Sequence, residues 1–408
     1  AKVAAFSNQV PELTHDEIAG WGQDGDVTRQ IFQVFMLRHD FEHPQVSSRL
    51  AAVEEVLGHL LADGIIVNQI DGVRVETPDG AYSLSTDWLV VDADLAPGTR
   101  MSVGASHETR QRNGVYWGGL TYWYADGGRT QWDRSKTTAT RWNQWDTEET
   151  TAFASLEHRL ANRWRVRADL AHRKQVEDSK LLWVWGTPDH TSGLGLSAYP
   201  YHYHAEPTQN HASVSASGPF RLGGREHELS VGAMHSQLKD GWDNRDALSG
   251  LPEVGNFNEW DGSYPEPAMS PFYLASRDTT TQTGAYAASR LQITDALKFI
   301  VGGRVSSWKR DGEVGAWTAE AYTIRHSSVF TPYAGLLYDI TPEYTAYVSY
   351  TDIFKPQTER DSSRKYLEPI VGQNYEVGLK GSLLDERLNI ATAVFWSKQD
   401  NVAELDDS

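Results

Sequence analysis

The sequence predicts a mainly β chain: an antiparallel transmembrane β-barrel of the outer-membrane type, present in part with about twelve strands, preceded by a small α+β segment. Three observations lead there. From residue 86 onward, tight turns alternate with long polar or aromatic excursions. The chain carries 15 Trp and 18 Tyr, yet hydrophobic residues make up only 39% of it. A chain rich in rings and still polar suits a wall with one side in water and the other in lipid. Finally, no apolar run approaches the ~18 residues of a membrane helix, whereas barrel strands cross with about ten alternating residues each.

Residues 1–85 read as the small α+β segment. Helical spacing covers 27–38 and 47–62, the second with Leu50, Val53, Val56, Leu57, Leu60 and Leu61 on one stripe. Ser47 or Ser48 caps its start and Gly64 its end. A hairpin follows over 65–84, with Asp71-Gly72 at its turn and Asp79-Gly80 closing the second arm. His39 and His43 are spaced to share a helix face and a metal. Pro44 follows at once, so the end of a helix is the simpler reading. The first residues lack the basic and apolar regions of a signal peptide, so a leader is expected to have been removed or to lie outside this sequence.

Residues 86–408 read as the barrel portion. Short turns fall at 94–99, 160–163, 221–226, 293–296, 340–343 and 383–386. Long excursions fall at 107–148, 174–207, 239–279, 310–326, 355–372 and from 398 onward. A soluble sandwich or propeller also gives alternating strands, but it does not put its long loops at one end only. The stretch 344–352 shows the plan. Thr345, Tyr347, Ser349 and Thr351 share one face, and Ala346, Val348, Tyr350 and Asp352 the other. Tyr344 stands beside a short turn, where an interface aromatic belongs.

Charge and composition narrow the function. With 37 basic and 55 acidic residues the net charge is −18, which speaks against nucleic acid as a partner. The absence of cysteine excludes disulfides, thiolate metal sites and cysteine nucleophiles. The excursion 115–145 concentrates Tyr116, Trp117, Tyr122, Trp123, Tyr124, Trp132, Trp142 and Trp145. Rings stack on planar groups and cations, so these residues form either a ligand cup or a belt that packs loops and meets the interface. His202 and His204 share a face at strand spacing, read as part of a solvated loop. The acids of 239–279, Asp243, Asp246, Glu253, Glu259, Asp261 and Glu266, allow a cation site but match no EF-hand. Gly302-Gly303 reads as a close approach of backbones within a strand. An outer-membrane hydrolase stays open as an alternative, although no GxSxG elbow occurs.

Several blocks carry a resemblance. SYTDIFKPQ (349–357), LEPIVGQNYEVGLKG (367–381) and RLNIATAVFWSKQDNVA (387–403) resemble the barrel of TonB-dependent ferric-siderophore receptors, in the ferripyoverdine and ferric-coprogen branch. The stretches 117–170, 180–207 and 217–233 resemble the same barrel in the same order. The resemblance implies a cell outer-membrane receptor and transporter that is not an enzyme and has no cofactor. Iron would arrive as a ferric-siderophore ligand; the other partners implied are outer-membrane lipid and TonB. Trp117, Tyr122, Trp123 and Tyr124 are then expected to face the lumen or outer vestibule, with Arg129 as a cationic contact. Two departures accompany it. Residues 1–85 do not resemble the family's plug domain and show no TonB box. About twelve strands are fewer than the 22 of a full-sized outer-membrane transporter barrel. The chain therefore reads as the central part of a receptor, truncated or rearranged, or as a remnant that does not transport alone.

Overall fold

A computed structural model describes residues 66–76, 82–248, 250–385 and 387–404. These residues form fourteen strands: β1 (Ile66–Glu76), β2 (Tyr82–Ala96), β3 (Thr99–Arg112), β4 (Gln144–Arg159), β5 (Arg165–Gly186), β6 (Leu196–Ala205), β7 (Thr208–Leu222), β8 (Arg225–Arg245), β9 (Tyr273–Gln292), β10 (Leu297–Gly312), β11 (Tyr322–Asp339), β12 (Tyr344–Lys355), β13 (Ile370–Leu383) and β14 (Leu388–Asp400). A single 3-10 turn at Phe257–Glu259 is the only helix among the described residues.

All strands join one antiparallel sheet in chain order. The exception is instructive. β6 and β7 both lie between β5 and β8, end to end, β6 on the upper half of β5 and β7 on the lower. Glu206-Pro207 separates them. Proline has no N–H to give to the ladder, so it interrupts a strand without ending it. β6 and β7 thus share one position, and twelve positions run from β2 to β14, the number expected. Counting β1 there are thirteen. An odd number makes the two edge strands run the same way, so closure of β14 onto β1 would need a parallel seam. Among the described residues, β1 pairs only with β2 and β14 only with β13.

The short turns fall where expected, all at one end of the sheet; Pro97-Gly98 and Gly223-Gly224 are the tightest. The long connections 113–143, 187–195, 246–272, 313–321 and 356–369 lie at the other. Three expectations are corrected. Most of the 174–207 excursion is strand, because LLWVW and YPYHYH alternate and pair across β5 and β6. His202 and His204 accordingly sit on a strand, and His202 is buried. Asp71-Gly72 is no turn: β1 runs straight through it, Asp71 opposite Trp88 and Gly72 opposite Asp87, because ten register pairs with β2 outweigh a two-residue turn signal. Asp79-Gly80, the expected helices at 27–38 and 47–62, and His39–His43 lie outside the described residues.

The two faces differ in chemistry. On β5, Val166, Ala168 and Leu170 share one face, while Arg167, Asp169, Arg173, Gln175 and Glu177 share the other. Register carries the apolar face across the sheet, as in Val348–Val377–Val394 on β12, β13 and β14. Leu170, Val377 and Val394 are 60%, 58% and 73% exposed. A continuous apolar face left this open is suited to lipid rather than to a protein core. The polar face holds its own pairs, such as the hydrogen bond from Tyr347 to Glu376.

Glycines on this lattice are covered by rings from the neighbouring strand. Gly104 faces Phe153, Gly232 faces Tyr286, Gly302 faces Tyr333 and Gly378 faces Tyr347. A Cβ at Gly302 would stand 2.7 Å from the Tyr333 ring and one at Gly303 2.4 Å from the Phe330 ring. The close approach expected at Gly302-Gly303 is therefore made by side chains, not backbones. At Gly232 a Cβ would lie 2.5 Å from the Tyr286 ring. Gly232→Val is expected to displace that ring and cost about 1–3 kcal/mol, the usual range for overpacking. Urea unfolding from lipid vesicles, followed by Trp fluorescence, measures it; an unchanged midpoint would show that the ring moves freely.

Candidate ligand-binding site

The long connections carry a small core of their own. Leu182 and Val184 of β5 and Leu196 of β6 pack with Val254, Phe257 and Tyr264 of the β8–β9 connection. Leu120, Trp132 and Trp142 of the β3–β4 connection close over them. Indole N–H groups fasten the two long loops together. Trp142 Nε1 donates to Tyr264 O at 2.9 Å, and Trp260 Nε1 to Ala139 O at 3.2 Å. Arg141 pairs with Asp261 at 2.9 Å, and Lys136 lies over the Phe257 ring at 4.8 Å. The β5–β6 turn joins this cap through Phe257 N to Gly193 O at 3.1 Å. Gly193 has φ +68°, and a Cβ there would strike Asn256, so the contact requires glycine. The Ser192 backbone N–H and hydroxyl hold the Asp189 carboxyl of this turn below its ordinary pKa.

Beside the cap, on the polar face, rings run in a ladder. Strand alternation puts Trp183 and Trp185 of β5 on the same face as Arg173 and Glu177. On the same face of β6, Tyr199 lies opposite Trp183, Tyr201 opposite Leu181 and Tyr203 opposite Ser179. Trp117 enters from the β3–β4 connection through a parallel bridge to Trp183. Its ring is 5.9 Å from Trp183 and 5.1 Å from Tyr201. Trp183 meets Trp185 at 4.9 Å, and Tyr201 meets Tyr203 at 5.4 Å. Trp183, Trp185 and Tyr199 are about two fifths exposed, so their faces are open to a ligand.

The ladder ends on a charged wall. Tyr203 Oη and Trp145 Nε1 both donate to Glu177, and Gln175 Nε2 reaches the same carboxylate at 3.1 Å. The Arg112 guanidinium lies over the Trp145 ring at 4.9 Å, and Arg173 pairs with Glu149 at 2.6 Å. Glu108 and Arg110, with Arg112, Trp145, Arg173 and Glu177, line a hollow of about 240 Å³. The arrangement offers flat apolar surfaces above and fixed charges of both signs below.

The residues expected to contact ligand are brought close in part. Trp117 is half-buried within the ladder. Tyr122 and Trp123 are 74% and 56% exposed on the first arm of a small hairpin, bridged between Trp123 and Arg129. Arg129 is exposed beside them. Tyr124 is buried, stacked on His190 at 4.1 Å and edge-on to Trp132, so it supports the hairpin from below. Trp183, Trp185, Tyr199, Tyr201 and Tyr203 were not picked out from the sequence. Their signal was period-two alternation in LLWVW and YPYHYH.

The other clusters have local explanations. Asp261 pairs with Arg141, Glu266 with Lys180 at 3.3 Å, and Asp246 accepts from Tyr273 Oη at 2.9 Å. His202 and His204 lie on the opposite face, 3.5 and 3.7 Å from Asp178. Among the described residues no group of three or more His, Asp or Glu could hold a metal.

Known proteins resemble this chain over most of the described sheet. The family model "TonB dependent receptor-like, beta-barrel" matches residues 85–408. A second model, the bacterial phospho-glucose isomerase C-terminal SIS domain, matches residues 1–73. The chain is 35% identical to the ferripyoverdine receptor of Pseudomonas aeruginosa over 78% of its own length and 38% of the relative's. It is 36% identical to the ferric-pyoverdine BN7/BN8 receptor of Pseudomonas putida over 77% of its length and 40% of the relative's. It superposes on a crystal structure of the Pseudomonas aeruginosa ferripyoverdine receptor bound to ferripyoverdine with a TM-score of 0.72, at 32% identity over 82% of this chain and 47% of that one. The chain thus spans about two fifths of the length of the curated relatives it matches.

Proposed function

Since this chain belongs to the TonB-dependent receptor β-barrel family, we propose that it forms the part of an outer-membrane receptor wall that receives a ferric siderophore. The family is one of outer-membrane proteins, and on this reading the sheet turns its apolar face toward lipid. The polar face then lines the lumen, and the long connections form the outer mouth. The observation that carries the reading is the ladder of six rings on that polar face, directly above fixed charges.

The chemistry suits such a ligand. A siderophore fills the coordination shell of its iron, so the protein needs no metal ligands of its own. It needs flat walls for the chelate's planar arms and countercharges for its ionised groups. Trp117, Trp183 and Trp185 supply the walls, with Tyr122 and Trp123 at the rim. Arg129 above and Arg112 below supply positive charge. Tyr124 acts through the hairpin it supports. In a complete receptor the family name implies TonB as the energy-coupling partner. On this reading the segment that precedes β1, which falls within the match to an unrelated family model over residues 1–73, is a unit of its own and not a plug.

The test is an equilibrium titration of the detergent-folded chain with a ferric siderophore of the pyoverdine class, read by Trp quenching. Saturable quenching is expected, and Trp117→Ala is expected to weaken it by about 1–3 kcal/mol, the loss typical of a buried aromatic anchor. Tyr344→Phe, beside a short turn, should leave it unchanged. Absence of saturable quenching by the wild-type chain would refute the reading.

A further inference from the structure

The connection that carries Trp117 leaves and re-enters the sheet at a neck closed by Asn143. Asn143 is the last residue of the β3–β4 connection and is 1% exposed. Its backbone carbonyl accepts from Gly114 N at 2.7 Å. Its side chain spans the neck of the loop: Nδ2 donates to Val115 O at 2.7 Å, and Oδ1 accepts from Thr140 Oγ1 at 2.5 Å. The 31-residue connection is thereby pinched where it leaves and re-enters the sheet. Two residues beyond Val115 stands Trp117, and Gly118 follows with φ +85°. A Cβ at Gly118 would lie 2.9 Å from Trp183 Cδ1, so the backbone rests directly on that indole.

We infer that Asn143 is a positioning residue that holds Trp117 in the aromatic ladder and so tunes ligand affinity without contacting the ligand. The consequence for binding rests on the function proposed above; the effect on ring geometry does not. The physical reason is the uneven chemistry of the amide. The Val115 carbonyl can only accept, so it needs the donor that the amide nitrogen supplies, while Oδ1 takes the Thr140 hydroxyl proton. Asn143→Asp keeps the shape but replaces the N–H donor with a second acceptor, which then opposes the Val115 carbonyl in a buried place. Asn143→Ala removes both bonds. Thr140→Val removes the partner of Oδ1 but leaves the bond to Val115 intact.

Indoles at 5.9 and 4.9 Å couple their electronic transitions. The pair Trp117–Trp183 should therefore contribute an exciton couplet to the far-ultraviolet circular dichroism of the full chain folded in detergent, and Trp117→Phe, which leaves the Trp183–Trp185 pair in place, assigns it. Asn143→Asp and Asn143→Ala are expected to lose the Trp117 contribution while the strand signal in the same spectra persists. Thr140→Val is expected to retain it. Affinity for a ferric pyoverdine-class siderophore should fall roughly 10-fold in the two Asn143 variants, as for one lost buried hydrogen bond. A couplet unchanged in both Asn143 variants would overturn the inference. So would its loss only together with the strand signal, because Asn143 would then serve folding alone. A wild-type chain that shows the couplet but binds no ferric siderophore would overturn the proposed function and leave the role of Asn143 in placing the ring intact.

Discussion

Replacing Phe257 with alanine is expected to release the β8–β9 connection from the cap and to cost about 3–5 kcal/mol of its local stability. Phe257 is 1% exposed and stands at the centre of the loop core. Trp132 meets it edge-on at 5.4 Å and Trp260 at 5.7 Å, and Lys136 sits over its ring. Deleting the ring removes apolar contact from the β3–β4 and β8–β9 connections and from β5 and β6 at once, and the loops cannot collapse into the gap while Trp142 and Trp260 remain tied to backbone carbonyls. The sheet below should survive, because its pairing does not pass through Phe257. Limited proteolysis checks this: cleavage within 246–272 should accelerate while the strand signal stays. Unchanged proteolysis would show that the hydrogen bonds alone hold the cap.

Placing arginine at Val348 is expected to cost about 2–4 kcal/mol in a bilayer, the range for a cation on the lipid face near the midplane. The adjacent Ser349→Arg change should be tolerated, because Ser349 faces the polar side with Tyr347 and Glu376. The comparison isolates facing from position, since the two residues are neighbours on one strand. Folding of each variant into vesicles of defined thickness, measured against urea, gives both costs. Equal penalties would mean that the apolar face does not meet lipid. The exposure of Val348, Val377 and Val394 would then need a protein partner instead.

Much of this was legible in the sequence for local reasons. Pro97-Gly98 and Gly223-Gly224 announce turns by chemistry that leaves few alternatives, and the six short turns followed from such signals. The faces of β12 followed from period two alone. What escaped depended on register. Asp71-Gly72 looks like a hairpin turn until β2 is seen to pair with both of its sides. The aromatic run 180–204 looked like loop because aromatic excursions between turns resemble long loops, although its alternation was in view. Trp117 could be named from the density of rings around it. That its neighbours would be Trp183 and Tyr201, rather than Trp132 or Trp142, is fixed by contacts between residues far apart in sequence. The closure of the cap by Trp142 and Trp260 is of the same kind, since each indole bonds a carbonyl more than a hundred residues away.

The account stands or falls on which aromatic surface meets the ligand. A second row of rings, Tyr350, Tyr375 and Trp396, lies on the apolar face at 5.0 and 5.6 Å spacing, next to the Val348–Val377–Val394 row. The decisive measurement is the dissociation constant for a ferric pyoverdine-class siderophore in two double variants, read by isothermal calorimetry because both remove fluorophores. Trp117→Ala with Trp183→Ala is expected to weaken binding about 100-fold, two anchors at roughly 1–3 kcal/mol each. Tyr375→Leu with Trp396→Leu is expected to stay within about threefold of wild type. Equal losses in the two variants, or a loss confined to the outer pair, would contradict the assignment of the polar-face ladder as the site.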